Sequence, residues 1–269
     1  MSDTIISGKN TAIIGMVHLP PLPGSPRFGG TFDAILRRAV RDAVLLAEGG
    51  VDAVMVENFG DVPFFPDRVP SETVAAMAVA ASAVRRAVPL PIGVNVLRND
   101  GLAALGVAAV VGAAAVRINI LSGAAVTDQG VIEGRACEIM RKRAFLGGGI
   151  AVWADVMVKH SAPLGEYPLA QAAKDVAYRG LADALIVSGS GTGEAVSLEE
   201  LRVVREAVPD RPLLLGSGVN PGNLDRYLPY ADGFIVGTAL KKGGVSDAPV
   251  SLSRVRRFVD RVKAAGGRR

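Results

Sequence analysis

Several residue types are scarce in this chain of 269 residues, and each shortage excludes a class of protein. A single cysteine excludes a disulfide framework and a cysteine-rich metal site. Aromatic residues make up only 5% of the chain and do not interleave with the basic residues, so the net charge of +4 does not indicate nucleic-acid binding. The longest uncharged apolar stretch, residues 101–116, falls short of the roughly 18–20 residues of a membrane span. We therefore expect it to form a buried helix that runs into a strand, without stable membrane insertion.

The two ends of the chain carry little information about function. The first ten residues show no basic region followed by a long apolar run, so no secretion signal is expected and the expected compartment is the cytoplasm. The last sixteen residues, 254–269, are basic, which is typical of a solvated final helix. The expected organisation is one domain over residues 1–269, with a short N-terminal extension and a basic C-terminal tail.

Eight short apolar runs alternate with helix-length segments along the chain. Nearly continuous apolar character is typical of parallel strands that are buried on both faces. Eight βα units in about 250 residues predict a (β/α)₈ TIM barrel, with a doubly wound open sheet as the alternative. The similar segments VRRAVP at 84–89 and VREAVP at 204–209, before the third and seventh runs, favour the barrel. The runs are residues 12–19, 53–58, 92–97, 115–120, 150–158, 184–188, 213–217 and 233–239.

Helical periodicity and capping residues occupy the segments between these runs. Residues 32–48 carry an apolar stripe, residues 73–88 end before Pro89, and Ser251 precedes the last helix. Ser197 followed three residues later by Glu200 is a capping-box pattern. The long polar connections follow strands, at the end of a barrel where active sites lie.

Glycine-rich turns follow the seventh and eighth runs. Such turns expose backbone N–H groups, and a helix that begins there adds its dipole, so together they can hold a phosphate. Their occurrence after the two strands where barrels often bind phosphate predicts a phosphate site. A third glycine-rich segment, residues 189–193, follows the sixth run as a mobile loop, a lid or a further phosphate contact. The candidate phosphate-binding residues are Ser188, Gly189, Gly216, Ser217, Gly218, Gly237 and Thr238.

Polar residues gather at the ends of the other runs, and both histidines of the chain are among them. In one scheme, Glu57 or Asp155 is a general base and Lys159 or His160 a general acid or electrophile, with Asn95 and Asn119 holding substrate hydroxyl or carbonyl groups. A charged Asp155 inside an apolar run requires a partner, which Lys159 or Arg117 can supply. The alternative is a structural ion-pair network that fills the barrel. The candidate catalytic residues are His18, Glu57, Asn95, Arg117, Asn119, Asp155, Lys159 and His160.

Two other chemistries remain open from the residues alone. Burial near Arg117 would lower the pKa of Lys159 and suit it to Schiff-base formation. A divalent metal site made of His18, Glu57, Asp155 and His160 is the second alternative, although no close ligand spacing supports it. The sequence does not require a cofactor, and it does not identify one.

Residues 14–26, with the sequence IGMVHLPPLPGSP, resemble the BtpA/SgcQ family. The resemblance extends from about residue 10 to 262 and includes every candidate catalytic residue. It implies a TIM barrel similar to the phosphate-binding barrel enzymes. It also implies a link to photosystem I assembly or stability for the cyanobacterial members, while others resemble a sugar-operon protein. The further matching segments are residues 56–64, 93–100, 116–119, 154–160, 187–193 and 216–220.

Two functions follow from these observations. The first is an enzyme that acts on a small phosphorylated metabolite, a sugar phosphate or a nucleotide derivative, by isomerase, lyase or phosphoribosyl-type chemistry. The second is a non-catalytic biogenesis or stability factor for a membrane complex such as photosystem I, which rests on the resemblance alone. The apolar segment PFFP at residues 63–66 is expected either to pack on a second copy in a homo-oligomer or to cover the pocket.

Overall fold

The structure, a computed structural model, describes residues 5–6, 11–189, 191 and 195–265. Eight parallel strands close into a barrel in which each strand pairs with the next barrel strand along the chain and the last pairs with the first. The barrel fold predicted from the sequence is thereby confirmed, and the open sheet is excluded. The barrel strands are β1 (Ala12–His18), β2 (Ala53–Glu57), β3 (Ile92–Asn95), β4 (Ala115–Ile118), β7 (Ala151–Asp155), β9 (Ala184–Val187), β10 (Leu213–Leu215) and β11 (Gly233–Val236).

Helices surround the barrel, and several begin at the residues that the sequence indicates. The Thr31 side chain accepts a hydrogen bond from the Ala34 backbone and caps the helix at 32–48, and Ser197 caps the helix that follows it through the Glu200 backbone. The uncharged stretch at 101–116 forms a helix and then enters β4, as expected. The α-helices are α1 (Phe32–Glu48), α2 (Ser71–Ala87), α3 (Gly101–Val111), α4 (Ala136–Phe145), α5 (Leu169–Lys174), α6 (Leu198–Ala207) and α7 (Leu252–Ala264), and a π-helical turn (Asp175–Arg179) extends α5.

A small antiparallel sheet, which the sequence analysis missed, lies beside the barrel. It consists of β5 (Ala124–Thr127), β6 (Gly130–Glu133) and β8 (Ser161–Pro163), with β5 in the middle. The sequence analysis included residues 122–130 among the long polar connections that follow strands, because strands of three or four residues that are exposed on one side carry too little apolar pattern. The sheet places two post-strand loops side by side at the C-terminal end of the barrel.

Two local expectations were wrong. The fifth run was predicted to be a strand to residue 158, but β7 ends at Asp155 because Met157 and His160 adopt left-handed backbone conformations, with φ of 54° and 56°. The glycine turns after β10 and β11 were expected to begin helices, but only three-residue 3₁₀ turns follow, Leu224–Arg226 and Thr238–Leu240. A single 3₁₀ turn supplies N–H donors but little of a helix dipole.

The inward-facing side chains of the barrel strands explain where polar groups collect. Alternate residues of each strand face the interior. Trp153 fills space that small residues of neighbouring strands, such as Ala115 and Ala184, leave open. The next inward position toward the C-terminal end is polar or glycine on every strand, so that end of the barrel is a polar layer. The apolar interior consists of Ala12, Ile14, Met16, Ala53, Met55, Ala115, Ala151, Trp153, Ala184, Ile186, Leu214 and Ile235.

Some segments named in the sequence analysis lie outside the described residues. These are residues 1–4 and 7–10 of the N-terminal extension, residues 190 and 192–194 of the glycine-rich loop after β9, and residues 266–269 of the basic tail. Within the ranges that the structure describes, no helix is both long and apolar enough to cross a bilayer.

Candidate active site

The polar layer is centred on a buried ion pair between β4 and β7. Arg117 donates from Nε and Nη2 to the two carboxylate oxygens of Asp155, at 2.9 and 2.8 Å. The Ser188 hydroxyl donates to Asp155 Oδ1 at 2.8 Å, and the Asn119 amide donates to Oδ2 at 3.1 Å. Both oxygens of Asp155 are therefore fully engaged, which confirms that this carboxylate has a partner. An aspartate held in this way orients Arg117 and is not free to accept a proton from a substrate.

The two asparagines of the layer have different capacities for a ligand. Asn119 uses both ends of its amide, since its oxygen also accepts from Asn95 at 3.2 Å. Asn95 donates to this oxygen and to the Arg117 carbonyl, while its own Oδ1 is buried and has no hydrogen-bond partner among the described residues. A buried acceptor without a donor is unfavourable, so Asn95 is the asparagine of this pair with an unused acceptor.

One cavity of about 190 Å³, called the main cavity below, opens at this layer. Its lining joins the carboxyl ends of β1, β2 and β4 to those of β10 and β11 across the mouth of the barrel. The predicted residues among its lining are His18, Glu57, Arg117, Lys159, Gly216, Ser217, Gly218, Gly237 and Thr238.

His18 and Glu57 face each other on the wall of the main cavity. His18 Nε2 lies 3.8 Å from Glu57 Oε1, and His18 Nδ1 lies 3.2 Å from the Ser246 carbonyl. A carbonyl oxygen only accepts, so Nδ1 carries the proton and Nε2 of the neutral ring presents its lone pair toward Glu57. The Phe59 ring stacks on the imidazole at 4.3 Å and fixes its plane.

Burial shifts the protonation equilibria of the three groups that could transfer protons in this cavity. It raises the pKa of Glu57, against the opposing effect of the Arg117 charge. It lowers the pKa of His18 well below the usual value, and the charge of Lys241 lowers it further. It also lowers the pKa of Lys159, with a contribution from Arg117. We infer that His18 is neutral, so its contact with Glu57 is not an ion pair.

The glycine turns form the part of the main-cavity wall next to His18 and Arg117. Gly218 has a backbone φ of +71°, which residues other than glycine rarely adopt. The Thr238 hydroxyl lies 2.8 Å from the Ser246 hydroxyl. Two other candidate phosphate residues lie elsewhere. Ser188 contacts Asp155, and the Gly189 N–H donates to the Ser217 hydroxyl at 2.9 Å, so neither lines the main cavity.

The remaining candidates are dispersed. His160 is exposed and does not line the main cavity, although it follows Lys159 directly. The proposed metal ligands His18, Glu57, Asp155 and His160 do not come together as a site. More generally, no three histidine, cysteine, aspartate or glutamate side chains of residues 5–6, 11–189, 191 and 195–265 are grouped to hold a metal ion.

Two basic residues at the site escaped the sequence analysis. Arg254, near the start of α7, lines the main cavity beside the glycine turns. Lys241, in the loop after β11, is fully buried at 0% exposure, and its ammonium has no hydrogen-bond partner in the described part of the chain. Burial lowers the pKa of Lys241 to about 8, against the attraction of Asp42. Arg254 belongs to the basic stretch that the sequence analysis expected to be solvated, and Lys241 closely follows the glycine turn after the eighth run, so neither residue was singled out.

A closed (β/α)₈ barrel with a polar, partly cationic cavity at the C-terminal ends of its strands is the class of protein that this structure defines. The chain belongs to the BtpA family, whose model matches residues 9–264. An uncharacterized protein of Thermococcus kodakarensis is 51% identical over 93% of this chain and 95% of its own length. The photosystem I biogenesis protein BtpA of Synechocystis is 43% identical over 92% of this chain and 86% of its own length.

Solved structures confirm the fold. Phosphoribosyl anthranilate isomerase from Thermus thermophilus superposes with a TM-score of 0.58, covering 94% of this chain and 99% of its own. KGPDC from Streptococcus mutans superposes with a TM-score of 0.61, covering 96% of this chain and all of its own. Both are 14% identical to this chain, so they show the barrel architecture alone.

Proposed function

We propose that this protein is an enzyme that acts on a small phosphorylated metabolite bound in the main cavity. The observation that carries the proposal is the composition of this one cavity. It combines the glycine turns and Arg254 with the His18–Glu57 pair and Lys159 in one lining. A phosphate held by the first group would bring the rest of a small molecule to the proton-transfer residues of the second group.

The phosphate end of the site rests on donors and charge. Residues 216–218 and 237–238 present backbone and hydroxyl groups around the cavity, and the Arg254 guanidinium lies beside Gly244. The Asp155 carboxylate neutralises Arg117. The other charged side chains of the lining are Lys159, Arg254 and Glu57, so its positive charge exceeds its negative charge. Arginine suits phosphate because its planar fork donates two parallel hydrogen bonds.

The reacting end of the site suits proton transfer. Glu57 is the carboxylate of the main-cavity lining that is not bound in the Asp155 network, so it is the general base in this proposal, and its raised pKa brings it closer to neutral pH. Neutral His18 exchanges a proton at Nε2, and the Lys159 ammonium stabilises negative charge that develops on a substrate oxygen. These roles fit isomerisation, lyase and phosphoribosyl chemistry, all of which move protons next to a carbonyl or a leaving oxygen.

The names of related proteins point in two directions. The structural neighbour from Thermus thermophilus is by name an isomerase of a phosphoribosyl compound, which agrees with a phosphorylated substrate. The Synechocystis relative is by name a photosystem I biogenesis protein, which agrees with a role in assembling a membrane complex. An enzyme that makes a small molecule required by such a complex satisfies both names.

The direct test measures the thermal unfolding of the protein in the presence of inorganic phosphate and of a panel of sugar phosphates and nucleotides. A ligand at 100 times its Kd stabilises the folded state by about 2.7 kcal/mol. We expect such a shift for at least one phosphorylated compound and not for its dephosphorylated form. Arg254→Gln should reduce the shift, whereas Arg257→Gln, an exposed residue on the same helix, should retain it.

Substrate turnover then separates an enzyme from a binding protein. Glu57→Gln should abolish conversion of the stabilising compound while preserving its binding, since the amide keeps the shape but cannot accept a proton. If no phosphorylated compound shifts the unfolding temperature, or if Arg254→Gln leaves every shift intact, the proposed phosphate site is wrong.

A further inference from the structure

A second cavity of about 260 Å³, called the side cavity below, adjoins His18. His18 lines both cavities, so they meet at this residue. The loop after β11 contacts both His18 and α1. Its Ser246 carbonyl lies 3.2 Å from His18 Nδ1, and its Asp247 carbonyl accepts from the Arg38 guanidinium.

The walls of the side cavity are preformed. Pro20 and Pro21, from the segment that first suggested the family, lie on one side, and the Phe59 ring lies on another. Gly60 packs so closely on this segment that an added methyl group would lie 2.4 Å from the Pro21 nitrogen. Proline-rich backbone loses little conformational entropy on binding, so such a wall favours recognition of a ligand.

Two arginines supply the charge of the side cavity. Arg27 follows the proline-rich segment, and its guanidinium has no hydrogen bond or ion pair with any described residue. Arg38 extends from α1, and its buried Nε lies 3.9 Å from Asp42 Oδ2 and has no hydrogen-bond partner among the described residues. Asp247 is the acidic residue among the lining and Asp42 faces Arg38, so Arg27 is the cation of this lining that has no ion pair with a described residue.

We propose that the side cavity binds a second anionic group of the same substrate, a carboxylate or a second phosphate, at the end opposite the phosphate in the main cavity. This inference rests on the proposed function, because it takes the first phosphate site as given. The substrate class is then a dianionic metabolite whose middle portion passes the His18 imidazole. The apolar surfaces of Phe59 and Pro21 face that connecting portion and the Arg27 guanidinium receives its terminal oxyanion.

The test compares two series of synthetic probes by isothermal titration calorimetry at low ionic strength. One series consists of linear phosphonates that end in a carboxylate, with graded chain length, and the other of alkylphosphonates of the same lengths without it. We expect one chain length at which the carboxylate binds about tenfold more tightly than its neutral counterpart, the effect of one charge-assisted hydrogen bond. A terminal phosphonate in place of the carboxylate distinguishes the two anions.

Variants assign this advantage to the side cavity. Arg27→Gln should remove the tenfold preference and leave the affinity for the alkylphosphonates unchanged, since Arg27 has no hydrogen bond or ion pair with another described residue. Arg37→Gln, an exposed arginine on α1 next to Arg38, is the matched control and should retain the preference. Equal affinity for both series in the unaltered protein, or a preference that survives Arg27→Gln, overturns the second subsite alone. Failure of every phosphonate and of inorganic phosphate to bind overturns the phosphate site and, with it, this inference.

Discussion

A methyl group on Gly237 would lie 3.0 Å from Cε1 and 3.2 Å from Nε2 of His18. The glycine turn after β11 is thus in direct contact with the imidazole that faces Glu57. Glycine matters there for the space it leaves and not for its backbone conformation, since a φ of −110° is open to any residue. The proposed phosphate wall and the proposed proton-transfer wall meet at this one contact.

Replacement of Gly237 by alanine tests the importance of this contact. The added methyl group should displace the His18 ring and the turn together, and weaken the binding of a phosphorylated ligand by about tenfold, the loss of one charge-assisted hydrogen bond. Gly106→Ala is the control, because Gly106 lies in α3 with open space around it and should stabilise the protein by about 0.5–1 kcal/mol. Calorimetric binding and urea unfolding of both variants measure the two effects, and unchanged affinity in Gly237→Ala would contradict the placement of the phosphate.

The Arg117–Asp155 pair should dominate the stability of the polar layer. Asp155→Ala leaves a guanidinium that is only 3% exposed without its counter-charge, which should lower the free energy of unfolding by about 3–5 kcal/mol. Arg117→Met combined with Asp155→Leu should recover much of this loss, because no unpaired charge then remains. Glu199→Ala, which breaks an exposed pair with Arg202, should leave urea unfolding almost unchanged. Equal losses of unfolding free energy in Asp155→Ala and Glu199→Ala would show that the buried network contributes no more to stability than an exposed ion pair.

Lys241 should hold the imidazole of His18 in its neutral form. Burial is the larger cause of the low pKa of His18, and the Lys241 charge is the next. Lys241→Met should therefore raise this pKa but leave it below 6.5, since burial, Lys159 and Arg117 still oppose protonation. The chain has only two histidines, so NMR titration of the imidazole resonances measures the change directly, with His160→Gln to assign them. Lys242→Met, at the exposed neighbouring residue, should not shift the pKa, and an unmoved His18 in Lys241→Met would refute the coupling.

The same lysine should make the free energy of unfolding depend on pH in the alkaline range. Its pKa is about 8 in the folded protein and 10.5 as the ordinary value, so between these limits the unfolded chain binds the additional proton and stability rises with pH. The full difference is about 3 kcal/mol, from 1.36 kcal/mol per pKa unit. We expect unfolding free energies from pH 7 to 10.5 to rise more steeply in the unaltered protein than in Lys241→Met. Lys242→Met should follow the unaltered protein, and parallel curves for all three would falsify the assignment.

The sequence predicts the barrel well because its strands are buried on both faces. Each of the eight apolar runs contains a barrel strand, and the polar residue or glycine near the end of each run marks the polar layer. A carboxylate inside an apolar run requires a partner, so a cationic partner for Asp155 was predictable, although the sequence left Lys159 and Arg117 both open. The end of β7 was not predictable, since the left-handed conformation of Met157 leaves no local signal.

The parts of the site that the sequence does not reveal depend on contacts between distant segments. Lys241 follows a glycine turn in a loop, where a lysine is ordinarily solvated, and only the packing of that loop on Asp42 and Arg38 of α1 buries it. Arg254 lies in a strongly basic helix, and nothing in the sequence distinguishes it from its exposed neighbours Arg256 and Arg257. The same holds for the role of Ser246, whose carbonyl orients His18 from 228 residues away.

Trp153 offers a convenient optical probe of this barrel. It is the only tryptophan of the chain, is 2% exposed and lies two residues before Asp155 on β7. Its fluorescence therefore comes from one position, immediately beneath the Arg117–Asp155 pair. A ligand that rearranges the polar layer would change the emission of this indole without any added label, so that compound libraries can be screened before the substrate is known.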